Sequence, residues 1–158
     1  MAGVMIHRTR VSHDWIDYNG HLRDAYYALI VSAATDALMD RLQLDAAYRE
    51  RTHCTLYTLE MHLNFLREIQ ERDTVTVAVR VLGADPKRLH VAFELSREGA
   101  DEPAATAEVL LLHVAQMPKV SAAPFPPEVS AAISALKDET AGMASGGPLS
   151  RRMELTRR

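Results

Sequence analysis

The pattern of hydrophobic and polar positions changes period once along the chain. Residues 24–42 contain neither glycine nor proline, and residues 25–34 read AYYALIVSAA, where Ser32 alone breaks the apolar run. At 1.5 Å per residue this predicts a helix of roughly 28 Å. A surface helix carries one apolar stripe, whereas this one is apolar nearly all round, so the pattern predicts a helix enclosed by other elements. From Cys54 the period falls to two. Residues 54–67 half-alternate. Residues 74–82 place Val75, Val77, Val79 and Val81 on one face, residues 88–96 do the same with Leu89, Val91, Phe93 and Leu95, and residues 104–117 contain VLLLHVA. These segments predict strands, and residues 5–11 predict another ahead of the helix.

The connections set the topology. Residues 83–87 (GADPK) and 98–103 (EGADEP) are rich in turn residues and read as hairpin loops, which makes the sheet an antiparallel meander. After Pro126 and Pro127, the stripe Val129, Ile133 and Leu136 predicts a short peripheral helix. One early apolar helix followed by long antiparallel strands implies an α+β fold in which the sheet wraps the helix.

Composition narrows the class. A chain of 158 residues, 47% hydrophobic and 25% charged, is long enough for one well-buried domain and is too apolar for a disordered segment. Cys54 is the only cysteine, so neither an intrachain disulfide nor a thiolate cluster is available, and a reducing, cytoplasmic location is expected. The first residues lack the pattern of a secretory leader, and no run approaches the ~18 apolar residues of a membrane span. The net charge is −3, yet the last residues are basic, with Arg151, Arg152, Arg157 and Arg158 against Glu154. The body is therefore more acidic than the whole, which argues against a nucleic-acid partner. A folded domain over residues 1–141 and a flexible basic tail over 142–158, after Gly142, Gly146, Gly147 and Pro148, are expected.

Candidate chemistry concentrates ahead of the helix, in DWIDYNGHLRDAYY over residues 14–27. Asp17, Asn19, Gly20 and His21 offer a carboxylate, an amide, a glycine and an imidazole within five residues. Directly after them a helix start supplies unpaired N–H groups and a positive dipole end. The arrangement suits developing negative charge. Asp14 and Asp24 read as helix caps. His13, His53, His62, His90 and His113 read as structural or solvated, and Cys54 as a small buried residue. His13, Asp17 and His21 match no established metal-ligand motif.

The element D-x-N-G-H over residues 17–21 precedes the apolar helix with Tyr26 and Tyr27, and is followed by EMHLNFLR over 60–67 and KRLH over 87–90. This set, spanning about residues 7–129, resembles the hotdog-fold thioesterases, most of all their hydroxybenzoyl-CoA and acyl-ACP branches. The loop, with APFPPEV over 123–129, is also similar to hotdog proteins associated with carnitine breakdown. The resemblance implies a hotdog fold: a long central helix wrapped by an antiparallel sheet of about five strands. It implies hydrolysis of an acyl-CoA thioester to free acid and CoA, with CoA as part of the substrate and no separate cofactor.

In that reading Asp17 activates water or attacks the carbonyl, and the backbone N–H near Gly20 polarises it. Asn19 and His21 orient the water or the carbonyl, and Gly20 lets the backbone come close. Trp15, Tyr18, Tyr26, Tyr27 and Tyr57 are candidates to pack the acyl group or to hold a quaternary ammonium, as in a betainyl group. Glu60 and Asn64, which share a strand face with His62, are further substrate candidates, and Arg67, Lys87 and Arg88 are candidates for CoA phosphates. The family forms dimers, and dimers of dimers, by joining sheet edges, with active sites at the subunit interface; unpaired strand edges point the same way. Two readings compete. Hotdog hydratases use D-x-x-x-x-H, one residue longer than the spacing of Asp17 and His21, and a non-catalytic acyl-thioester binding module would keep the fold without turnover.

Overall fold

The computed structural model describes residues 3–151, 153 and 155. Strand β1 (Val4–Arg10) leads through a single 3-10 turn (His13–Trp15) and a loop into helix α1 (Asp24–Arg41) and a short helix α2 (Ala46–Thr52). Strands β2 (Cys54–Phe65), β3 (Thr74–Ala84), β4 (Arg88–Arg97) and β5 (Ala105–Ala115) follow, then the two-residue β6 (Ser121–Ala122) and helix α3 (Pro127–Glu139). The α+β architecture read from the periodicities is the one observed.

The strand order is β1-β3-β4-β5-β2, all antiparallel, with β6 adding to β5. Consecutive pairing therefore runs from β3 through β4 and β5 to the short β6. The meander expectation is corrected at β2, which pairs with β5 and leaves β1 and β2 as the two edges. Period two identifies a strand's faces and says nothing of its partner; only the hairpin loops fixed neighbours, and no hairpin joins β2 to β3. Helix α2 is too short to show a stripe and was not foreseen.

Register aligns the apolar rows. Val77, Val79 and Val81 pair with Leu95, Phe93 and Val91. Leu89, Val91, Phe93 and Leu95 in turn pair with Leu111, Val109, Ala107 and Ala105. Tyr27, Ile30, Val31, Ala34, Leu38 and Met39 of α1 are buried in the same core as these rows. The enclosure has one open side: Ala25, Leu29, Ser32 and Asp36 form an exposed stripe along α1.

The opposite face of the sheet carries the polar row. Residues 143–150 cross it and give their backbone to it. Arg80 donates to the Met143 carbonyl at 2.6 Å, Glu94 accepts from Gly146 N–H at 3.0 Å, and Glu108 accepts from Ser150 N–H at 2.6 Å. Asn64 Nδ2 donates to the Pro148 carbonyl at 3.1 Å, and Thr106 Oγ1 donates to the same oxygen. Of the basic end, Arg152, Arg157 and Arg158, with Glu154, lie outside the described residues.

One buried polar pair ties α2 to β5. His113 is 1% exposed; its Nδ1 stands 2.9 Å from the Ala123 carbonyl, and its Nε2 stands 3.0 Å from Tyr48 Oη. A carbonyl only accepts, so Nδ1 carries the proton and Nε2 accepts from the phenol. Burial pushes the Tyr48 phenol up, which keeps that donor protonated. Tyr48→Phe strands a buried acceptor and should cost about 1–3 kcal/mol, read as a lower urea midpoint at unchanged slope. A variant as stable as the parent would contradict this tautomer and bond.

Candidate active site

The loop ahead of α1 is built from its own backbone. Ser12 caps the 3-10 turn, and Ile16 bridges to Leu22 across a tight reversal. Asp17 N–H donates to the His21 carbonyl at 2.9 Å, and Gly20 N–H donates to the Asp17 carbonyl at 3.1 Å. Gly20 has a φ of +82°, the left-handed region that favours glycine, and open space surrounds its α-carbon. The turn conformation, more than close approach, is what requires glycine here.

Two further bonds fix the loop against the sheet end. Leu22 N–H donates to the Ile69 carbonyl at 2.7 Å and Arg23 N–H to the Trp15 carbonyl at 3.0 Å, while the Leu22 side chain is buried. Helix α1 then starts at Asp24 with Arg23 as its N-cap, and Arg23 makes no side-chain capping bond. Within the first turn the Asp24 carboxylate accepts from the Ala25 N–H at 2.8 Å and the Tyr26 N–H donates to the Arg23 carbonyl at 2.9 Å, so the helix start keeps the positive end of its dipole but not a row of free amides.

The Asp17 carboxylate sits inside this turn. Its Oδ1 accepts from Asn19 N–H at 2.8 Å and from His21 N–H at 3.2 Å. The His21 N–H, with Asn19 adding to it, holds the carboxyl below its ordinary value against the opposing effect of desolvation. Asp17 is therefore an anion at neutral pH, the form that acts as a base or nucleophile.

A cleft of about 590 Å³ opens beside it. One wall is the loop and helix start, with Asp17, Tyr18, His21, Arg23, Asp24 and Tyr27; the other is the end of β2 and the segment after it, with Phe65, Leu66, Arg67 and Glu68. His21 Nε2 reaches across to Glu68 Oε2 at 3.0 Å. Tyr27 and Phe65 meet edge to face, with centroids 5.1 Å apart. Tyr18 stands 95% exposed at the rim.

The structure brings together Asp17, His21, Tyr18, Tyr27 and Arg67 of the residues singled out in the sequence, with Asn19 and Gly20 in the turn that shapes the cleft. Others lie elsewhere. Trp15 and Tyr26 stack on each other at 5.5 Å and pack against the core. Tyr57 stands near the start of β2, where its hydroxyl accepts from Gln116. Glu60 and His62 line a second hollow of about 600 Å³ on the outer sheet face, with His90, Glu108 and Arg151. There His90 pairs with Glu108 at 2.7 Å. Partial burial would raise the Glu108 carboxyl, but the Ser150 N–H and His90 hold it below its ordinary value. Asn64 is on that outer face too, bound to the carbonyls of Pro148 and Leu149.

The cation candidates divide as well. Arg67 pairs with Glu102 and donates to the Pro103 carbonyl at 2.9 Å. Arg88 folds onto Asp85 at 2.7 Å, and the Lys87 N–H with the Arg88 guanidinium holds the Asp85 carboxyl down to about 2. His13 turns to Glu71, away from His21 and its Glu68. Among the described residues no three His, Cys, Asp or Glu groups converge as a metal site. Nor is any helix among them long and apolar enough to cross a membrane. Sequence reasoning missed Glu68, Phe65 and Asp24 as cleft residues. Phe65 was inside a quoted motif, but Glu68 carries no local signal, since its partner His21 is distant in the chain.

With this geometry in place the comparisons are decisive for the family. A model of the thioesterase-like superfamily matches residues 11–133. The chain belongs to the thioesterase-like superfamily. It is 46% identical over 132 residues to the betainyl-CoA thioesterase of Pseudomonas aeruginosa, covering 84% of this chain and 82% of that one. It is 40% identical over 111 residues to the L-carnitine dehydrogenase/betainyl-CoA thioesterase of Agrobacterium fabrum, covering 70% of this chain and 22% of that longer protein. A candidate thioesterase from Pseudomonas putida superposes with a TM-score of 0.86 at 42% identity, covering 99% of each chain. A Staphylococcus aureus protein solved in complex with CoA superposes at 0.77 with 29% identity, covering 94% of this chain and 98% of that one. The hotdog fold and the enzyme class read from the loop, an acyl-CoA thioesterase, stand on this membership and these relatives.

If Asp17 serves as the base, its environment sets the acid side of the pH profile. Its carboxyl lies below the ordinary 3.8, so the base form persists at neutral pH and is lost only as pH falls through a value under 3.8. The kcat/KM limb assigned to Asp17 should therefore lie below about pH 4, with no loss from this group on going from about pH 7 to pH 5. An inflection between those two pH values that disappears in Asp17→Asn would contradict the assignment.

Proposed function

We propose that the chain hydrolyses an acyl-CoA thioester by general-base attack of water, with Asp17 as the base and a betainyl group as the acyl moiety. The observation that carries the mechanism is an ionised Asp17 lining a cleft at the start of α1. Water gives its proton to Asp17 and its oxygen to the carbonyl carbon. The Gly20 N–H is engaged by the Asp17 carbonyl, the Ala25 N–H by the Asp24 carboxylate and the Tyr26 N–H by the Arg23 carbonyl, so the Asp24 N–H and the positive end of the α1 dipole face the developing oxyanion. Collapse expels the CoA thiolate, which receives the proton. His21, held by Glu68, borders the same space and orients the water.

The betainyl reading rests on the 46% identity to a relative of that activity and on a cleft lined by aromatic rings and carboxylates. Self-association belongs to the proposal. Strand β2 is a twelve-residue edge with Tyr57, Leu59 and Phe65 exposed along it, a liability unless covered. Antiparallel pairing of two β2 edges brings the start of one β2 beside the end of the other. Register ties Arg88 to Leu112 and Leu112 to Tyr57, so a second copy's Lys87 and Arg88 hairpin approaches the end of β2 where Arg67 stands. CoA phosphates would meet these cations. The lone Cys54 thiol fits a reducing cytoplasm.

The test is a panel of betainyl, hydroxybenzoyl and medium-chain acyl-CoA with colorimetric thiol detection. Betainyl-CoA should release thiol with the highest kcat/KM. With an enoyl-CoA added to the panel, loss of enoyl absorbance without thiol would favour hydration instead, and binding with no thiol from any substrate would favour a module without turnover.

A further inference from the structure

In betainyl-CoA the quaternary nitrogen is two bonds from the thioester carbon, so the ammonium lies within roughly 3 Å of the atom that water attacks. Whatever reads that cation must line the Asp17 cleft itself. Trp15, Tyr26 and Tyr57 are thereby set aside, since none of them lines it. A trimethylammonium group has no N–H to donate, so it is recognised through its diffuse charge, by the face of an aromatic ring and by nearby carboxylates.

The cleft offers both. Phe65, on the wall opposite Asp17, is 55% exposed although it is a large apolar ring. Buried Tyr27 holds it edge to face, with planes 86° apart, which fixes the ring in place. The carboxylates of Asp17, Asp24 and Glu68 line the same space against Arg23 and Arg67; Arg67 is tied to Glu102 and Glu68 to His21, which leaves Asp17 and Asp24 against Arg23, so the charge in the cleft tilts negative. Exposed Tyr18 stands at the rim.

Resting on the betainyl reading above, we propose that Phe65 is the specificity residue for a quaternary ammonium in the acyl group, with Tyr27 as its positioning residue. A neutral acyl group of the same shape gains only the contact area of the ring. A trimethylammonium gains that area and the attraction of the ring face, strengthened by the acidic lining.

The test compares kcat/KM for betainyl-CoA and tert-butylacetyl-CoA, which differ in a carbon replacing the charged nitrogen. The wild-type ratio should exceed about ten-fold in favour of the cation. The α-ammonium also activates the betainyl carbonyl in any enzyme, so the reading is the change in the ratio: in Phe65→Leu and in Phe65→Met, two aliphatic replacements of which one suffices if the other fails to fold, it should fall about five-fold or more from the wild-type value. A wild-type ratio near one, or an unchanged ratio in a folded variant, overturns the assignment while leaving thioester hydrolysis intact. If the wild type releases thiol from other acyl-CoA substrates but from neither of this pair, the betainyl reading itself fails.

Discussion

The site depends on where helix α1 begins. The packing of Tyr27, Ile30, Val31, Ala34 and Leu38 against the apolar rows of β3, β4 and β5 holds the helix in place, and two backbone bonds fix its start. Leu22 donates to Ile69, which ties the loop that carries Asp17 to the core, and Arg23 donates to Trp15, which closes the loop on itself. A carboxylate on a free loop would wander. Here the turn closed by Gly20 presents it beside the start of α1, so a carboxylate and the positive end of a helix dipole share one small space.

The same turn gives Asp17 two roles. Its Oδ1 accepts from Asn19 and His21, which shapes the loop, and those bonds also lower its pKa. Structure and chemistry are separable because an amide oxygen in its place accepts the same two bonds without taking a proton. Glu68 plays the parallel part for His21, coupling the loop to the segment after β2 and so setting the cleft's two walls against each other.

Much of this was legible in the chain. The apolar run over 25–34, broken only by Ser32, marked α1, and the valines of β3 and alternating residues of β4 marked the inward rows that register later aligned. The close set Asp17, Asn19, Gly20 and His21 marked the loop because local turns bring neighbours together. Pairings between distant segments were not legible. Nothing in β2 said that β5 would be its partner, and nothing in Glu68 pointed to His21. Face assignment also outran periodicity: Glu60, His62 and Asn64 do share a face, but it is the outer one, where Asn64 meets the backbone at Pro148. Aromatic content near the loop was visible, yet only the folded chain sorts Tyr18, Tyr27 and Phe65 into the cleft from Trp15 and Tyr26, which stack on each other.

The central claim is that Asp17 takes the proton from the attacking water. Turnover of acyl-CoA by Asp17→Asn, in protein whose thermal unfolding matches the parent, tests it most directly. The account requires a fall in kcat of at least about 10²-fold with the fold retained, the loss of a positioned base in a turn that keeps its bonds. Turnover within a few-fold of the parent would contradict it.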